Sequence, residues 1–324
     1  MLARIFVKDN RLRPSFRVLV YILAALAAQL ILAIIVGAAY ALVRGPGALL
    51  TRTPVWLDEL IGTIAVVGAA VLLRAFLDRR SVASLGISFT PRSALPECGK
   101  LFALGMALGG GMQVLFLLIE LALGHSHVLS VQFTRPVVLN VAFWTVFFLY
   151  AALAEEYPLR GYILQNLWED WGYWPAAIIT ALGFAALHVG NPNFGEMPWL
   201  TVFNIAVDGI WAALAVLWTR SLWLAWGQHF AWNVFEGPLL GTPVSGIYTG
   251  PSAVTQTITG NTLVTGGKFG PEASILLPLV ELATLAVLYA LYKRGAFAHA
   301  PDNREAYARA DEIEETQAVE PGPA

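Results

Sequence analysis

The sequence predicts an all-α fold, a polytopic membrane helix bundle of about eight transmembrane helices. Three observations carry this. Of the 324 residues, 57% are hydrophobic and 13% charged, and the mean hydropathy is +0.64. Soluble domains hold about 45–50% apolar and about 25% charged residues. Eight apolar stretches recur along the chain, most of them near the length a spanning helix needs, about 20 residues. Basic residues also fall unevenly between alternate connecting segments.

The stretches run over roughly 18–43, 56–77, 101–123, 137–154, 174–189, 199–218, 222–236 and 274–292. The first follows a basic stretch (Arg4, Lys8, Arg11, Arg13, Arg17) and is too long for the apolar region of a cleavable signal, so it reads as a retained anchor. The stretches at 174–189 and 222–236 are short for a full crossing. Both carry histidine, which suits helices around an internal cavity. If the N-terminus is cytoplasmic and each stretch crosses once, 16 Lys and Arg fall on the cytoplasmic side and 4 (Arg44, Arg52, Arg135, Lys268) on the other. That excess predicts a multi-pass protein of a cell membrane, of the bacterial inner-membrane kind, with both termini cytoplasmic.

Five segments follow. Residues 1–80 hold the first two transmembrane helices, and 81–236 form the core that carries the polar motifs. A Gly-, Thr-, Ser- and Pro-rich loop on the non-cytoplasmic side occupies 237–273, readable as a flexible lid or a small β-like cap. The last helix lies in 274–295, and 296–324 is an acidic tail too polar to bury a core, expected to be disordered. The pair Gly105 and Gly109, four residues apart in the third stretch, permits close helix packing. The single cysteine, Cys98, excludes an internal disulfide and any multi-cysteine metal centre in one chain.

An ionisable side chain inside a bilayer costs roughly 2.5–3.5 kcal/mol on insertion scales, so each needs a reason. Three groups need one. The first is Glu155-Glu156-Tyr-Pro-Leu-Arg160, at the end of the fourth stretch. On a helix Glu156 and Arg160 are four apart, the favourable order for an ion pair. Glu155 points about 100° away, free to act as a base, and Pro158 is a potential kink. The bland alternative is a set of charges where the helix leaves the bilayer. The second is Phe184-Ala-Ala-Leu-His188, with ring and imidazole on one face; a lone histidine at a helix end is often just interfacial. The third is His229-Phe-Ala-Trp-Asn233, whose polar ends share a face; its alternative is an interhelical hydrogen bond. His188 and His229 are the two histidines inside predicted helices. Together these residues make a general base with oxyanion donors. One tension stands: if the fourth helix ends near Glu155, a straight fifth helix carries His188 to the far side, unless the helices are short or re-entrant.

In order on successive helices, Glu-Glu-x-x-x-Arg, Phe-x-x-x-His and His-x-x-x-Asn resemble the motifs of the CPBP intramembrane proteases. That family includes the type II CAAX prenyl endopeptidases and the bacterial Abi-type proteins. Arg79-Arg80 with Leu85-Gly86-Ile87, and Ser221-Leu222-Trp223, are similar to the approaches to that family's motifs. The resemblance covers roughly 80–235 and implies hydrolysis of a peptide bond in or near the membrane. Glu155 would activate water, Glu156 and Arg160 would be its paired neighbours, and His188 would hold the water. His229 and Asn233 would stabilise the oxyanion. A carboxyl group in a dry pocket is a competent base near neutrality, and fixed donors there are worth several kcal/mol. The chain departs from the family in residues 237–273, which intervene before the last helix. Around Phe203, Asn204 and Asp208 the match is loose, though Asp208 is a further intramembrane acid able to support the site.

No cofactor is required on the glutamate reading. A zinc-dependent version with Glu155, His188 and His229 as ligands is the alternative. The expected partners are a membrane protein or peptide substrate and the lipid bilayer, with no nucleic acid. Two other functions compete: a non-proteolytic scaffold, immunity or regulatory protein of the same fold, and a transporter, which the lack of paired half-repeats disfavours.

Overall fold

The structure is a computed structural model that describes residues 6–8, 11–45, 53–87 and 95–297. The expected tail, 296–324, lies almost wholly outside the described residues. A short antiparallel pair, β1 (Val7–Lys8) with β2 (Arg11–Leu12), precedes the helices. These are α1 (Pro14–Arg44), α2 (Val55–Phe76), α3 (Leu95–Ala122), α4 (Arg135–Glu156), α5 (Leu164–Trp171), α6 (Tyr173–Leu187), α7 (Pro198–Thr219), α8 (Trp223–Val234) and α9 (Leu277–Lys293). Each of the eight apolar stretches is a helix, and α5 is an addition. Five helices are long and apolar enough to cross a membrane: α1, α2, α3, the continuous run Arg135–Trp171, and α7. The other predicted crossings, α6, α8 and α9, have 15, 12 and 17 residues. The chain is a multi-pass membrane protein. Leu23, Leu26, Leu30 and Ile34 of α1 are all more than half exposed, a placement suited to lipid and not to water.

The fourth apolar stretch does not end its helix. After Glu156 the chain continues as a π-helical segment, Tyr157–Ile163, and then as α5, so that Arg135–Trp171 is one 37-residue run. Pro158 lacks an N–H and its ring crowds the preceding turn. A wider π turn absorbs both problems without breaking the helix, and such turns occur often at functional sites. The carboxylate pair is therefore mid-helix, not at the helix end expected from the sequence. Gly172, with φ +85°, turns the chain back into α6. Glu155 lies 16 residues above Trp171 and His188 lies 15 above Tyr173. At about 1.5 Å per residue both climb some 22–24 Å from the same turn, which brings His188 level with Glu155. That resolves the tension left by a fourth helix ending at Glu155.

At the turn end of this helix pair a buried polar network replaces apolar packing. Asp78 meets Arg74 at 3.1 Å and Arg17 at 3.9 Å, and accepts from the Tyr162 hydroxyl at 3.1 Å. Arg80 pairs with Glu169 at 2.7 Å, and Arg74 donates to Ser84 at 2.8 Å. Arg17, Arg74 and Arg160 are buried. They answer buried carboxylates instead of marking a loop, so the charge asymmetry rests on the remaining basic residues.

The centre of the bundle is α8, nearly every residue of which is buried. It packs on α3, α4 and α7. A Cβ at Gly105 or Gly109 would stand 2.1 Å from the Leu224 or Gln228 carbonyl oxygen, and one at Gly227 would stand 2.2 Å from that of Phe102. The backbones of α3 and α8 thus touch, as the glycine pair permits. Leu222 N–H donates to the Gly86 carbonyl at 2.9 Å, which joins the two approach sequences noted above. Residues 240–276 form a packed cap. Within it β4 (Val254–Ile258) pairs antiparallel with β3 (Ser126–Val131). Asn204 of α7 anchors the cap by donating to the Glu272 and Ser274 carbonyls, both at 2.8 Å.

Candidate active site

The site gathers midway along the long helix, where its π turn faces α6, α7 and α8. Glu156 is 1% exposed and Arg160 is fully buried. Arg160 Nη1 donates to Glu156 Oε1 at 3.1 Å, and His229 Nδ1 lies 3.0 Å from the same oxygen. His229 Nε2 lies 3.7 Å from Glu155 Oε2. The imidazole therefore has a carboxylate at each nitrogen. Glu155 differs from its neighbour: its side chain is 33% exposed, so one adjacent carboxylate is locked and the other is accessible.

Phe184 organises the rest. Its ring takes the Arg160 guanidinium at 4.5 Å from the centroid, a geometry favourable to a cation over an aromatic face. His188 and His229 both pack edge-on to it, at 4.9 and 5.8 Å between centroids. His188 ends α6, and its Nδ1–H donates to the Phe184 carbonyl at 2.9 Å. That bond fixes the ring orientation and leaves Nε2 for a ligand. His188, His229 and Asn233 line one cavity with Phe184, Asn204, Asp208, Gln228, Glu272 and Glu281. Glu155 reaches the cavity through His229 and is not part of its wall. Asn233 follows His229 by one turn of α8, and a second π-helical segment, Phe235–Leu239, comes directly after it.

The sequence reading missed several polar residues at this site. Gln228 donates to Asp208 Oδ1 at 3.2 Å. Glu272 comes from the cap and accepts from the Ser245 hydroxyl at 2.9 Å. Burial raises the Glu272 carboxyl above its ordinary range, while His188 and the Ser245 hydroxyl hold it down. Glu281, buried in α9, has no hydrogen-bond partner for either carboxyl oxygen. A lone acid in the last apolar stretch was a signal available in the sequence. Glu272 gave none, since it sits in a loop.

Among the described residues no three His, Cys, Asp or Glu side chains are grouped to hold a metal ion. Both nitrogens of His229 are directed at carboxylates. The Glu155, His188 and His229 set does not have the form of a three-ligand zinc site.

Residues 137–235 match the family model described as type II CAAX prenyl endopeptidase Rce1-like. The matched segment begins with α4 and ends just after α8, and contains all three motifs. No curated protein and no solved structure matches the chain significantly.

Proposed function

We propose, from a core segment that matches the family model of Rce1-like type II CAAX prenyl endopeptidases, that the chain is an intramembrane endopeptidase using glutamate-activated water. The observation that carries the reading is the imidazole of His229 between a locked carboxylate and an accessible one. Glu155 is the base. It takes a proton from water as the oxygen attacks the scissile carbonyl carbon. The carbonyl π bond opens to an oxyanion, which accepts from His229 Nε2–H and the Asn233 amide. The proton held by Glu155 then passes to the leaving nitrogen as the C–N bond breaks, which gives a carboxylate and an amine.

Glu156 and Arg160 are positioning residues. The Glu156 carboxylate receives Nδ1–H and orients the ring, and Arg160 supplies the counter-charge that lets Glu156 stay ionised in a dry interior. With a carboxylate at each nitrogen, the ring can carry both N–H protons, as an oxyanion donor requires. His188 Nε2 is free to hold the water. Burial of Glu156, Arg160 and His229 away from water strengthens each of these interactions. We place both termini on the cytoplasmic side of a cell membrane, from the charge excess that survives removal of the buried arginines.

The test is cleavage of a library of membrane-anchored peptides by the purified full-length protein in lipid vesicles. Wild type is expected to cut a subset. Glu155→Gln is expected to lose about 10²–10⁴ in rate while keeping the thermal stability of wild type. Undiminished cleavage by Glu155→Gln would overturn the assignment of the base, and no cleavage by wild type would overturn the protease reading.

A further inference from the structure

The active-site cavity that His188 and His229 line also carries carboxyl groups that the proposed catalysis does not use. Asp208 comes from α7, Glu272 from the cap and Glu281 from α9, and all three line the cavity. Glu281 is 1% exposed and neither of its carboxyl oxygens has a hydrogen-bond partner; Glu272 is 8% exposed and its Oε2 has none. Glu236, which is not part of the cavity wall, is fully buried. Among the described residues no lysine or arginine lines the cavity. The nearby Arg160 is committed to Glu156 and to the face of Phe184.

Buried polar atoms without partners cost roughly 1–3 kcal/mol each, so several of them turned to one cavity point to an occupant that satisfies them. The occupant is a hydrogen-bond donor, since the unfilled groups accept, and a cation suits acids best. A metal ion is disfavoured because among the described residues no three donors are grouped at coordination distance as ligands, whereas an ammonium needs only hydrogen-bond contact. The cavity measures about 20 Å³, room for one water-sized group. An alkylammonium head is compact and carries three donors, whereas a guanidinium is a wide planar fork.

We infer that Asp208, Glu272 and Glu281 take up the ammonium of a lysine side chain close to the scissile bond of the substrate. This rests on the protease reading and names the class of substrate. It assigns the departure at 237–273 a role, since that segment delivers Glu272 to the cavity and Asn204 fixes its backbone. It also separates this chain from any requirement for a free carboxylate at that point, which the three acids would repel.

The test uses the full-length protein in vesicles and a transmembrane peptide that wild type cleaves. Lys, Leu or Glu is placed in turn at each position of the cleaved segment. At one position Lys is expected to raise kcat/KM at least about tenfold over Leu, with Glu the poorest. The double variant Glu272→Gln, Glu281→Gln is expected to bring the Lys-to-Leu ratio toward one. Equal cleavage of Lys and Leu peptides by wild type, which needs no variant, overturns the inference and leaves the protease reading standing. The same peptides are also bound to Glu155→Gln protein, without turnover. Lys-selective binding beside absent cleavage by wild type would overturn the protease reading and support the acidic wall. Neither cleavage nor selective binding would overturn both.

Discussion

Removing the Arg160 side chain while leaving Glu156 in place probes the core of the site. The two side chains are 0% and 1% exposed and 3.1 Å apart. Arg160→Met keeps much of the volume and the apolar stem but leaves a carboxylate stranded in the bundle. Losing one partner of a buried ion pair costs about 3–5 kcal/mol. Glu156 Oε1 retains His229 as a donor, which limits the loss, while the vacated face of Phe184 forfeits a cation–π contact worth up to about 2 kcal/mol. A destabilisation of about 3–5 kcal/mol is therefore expected. Glu156→Gln should cost less, about 1–3 kcal/mol, because an amide oxygen still accepts from both neighbours. The double variant should fall short of the sum by about 1–3 kcal/mol, since the stranded charge is gone. The assay is reversible unfolding in mixed micelles, followed by the fluorescence of the 11 tryptophans. Additivity within about 0.5 kcal/mol would refute the claim that Arg160 neutralises Glu156.

Asp78→Asn should destabilise by about 3–5 kcal/mol, since Arg74 is fully buried against it; a change below about 1 kcal/mol in the same unfolding assay would contradict this. Gly109→Ala should cost about 1–3 kcal/mol or more, because the new Cβ meets a backbone oxygen at 2.1 Å; Gly111→Ala, with nothing within 4 Å, is the control and should be near neutral. Activity should survive exhaustive chelation, given how the His229 nitrogens are directed. Loss of cleavage restored by added zinc would favour the metal alternative. His188→Ala should lower kcat more than it raises KM, measured on any cleaved peptide, and an effect confined to KM would assign His188 to binding alone.

Apolar runs made every long helix legible in the sequence, because a lipid-facing segment must be nearly all apolar. Where helices end was less legible. The apolar run stops at 154, and the helix continues to Trp171 because its polar residues find partners in the buried Asp78 and Arg74 and in Arg80. Those partners lie 84 to 91 residues away in sequence, beyond any local pattern. The same blindness hid the meeting of Leu222 with Gly86. At the site, the motif spacings brought forward six side chains, and the structure draws five of them together directly through Glu156, Phe184 and His229, with Asn233 in the same cavity wall. Glu281 could have been found by asking why an acid sits in an apolar helix. Glu272 could not, because its burial depends on how the cap folds.

The bare-backbone seam between α3 and α8 has a mechanical consequence. Where Gly105, Gly109 and Gly227 leave no side chains between them, the two helices cannot roll or slide without a collision of main-chain atoms. His229 and Asn233 ride on one half of that seam and so hold a fixed aim. The space a substrate needs must come from the opposite boundary, where α9 and the cap are held by side chains and a few hydrogen bonds. The stationary half is the half that carries the residues to which the proposed chemistry is assigned.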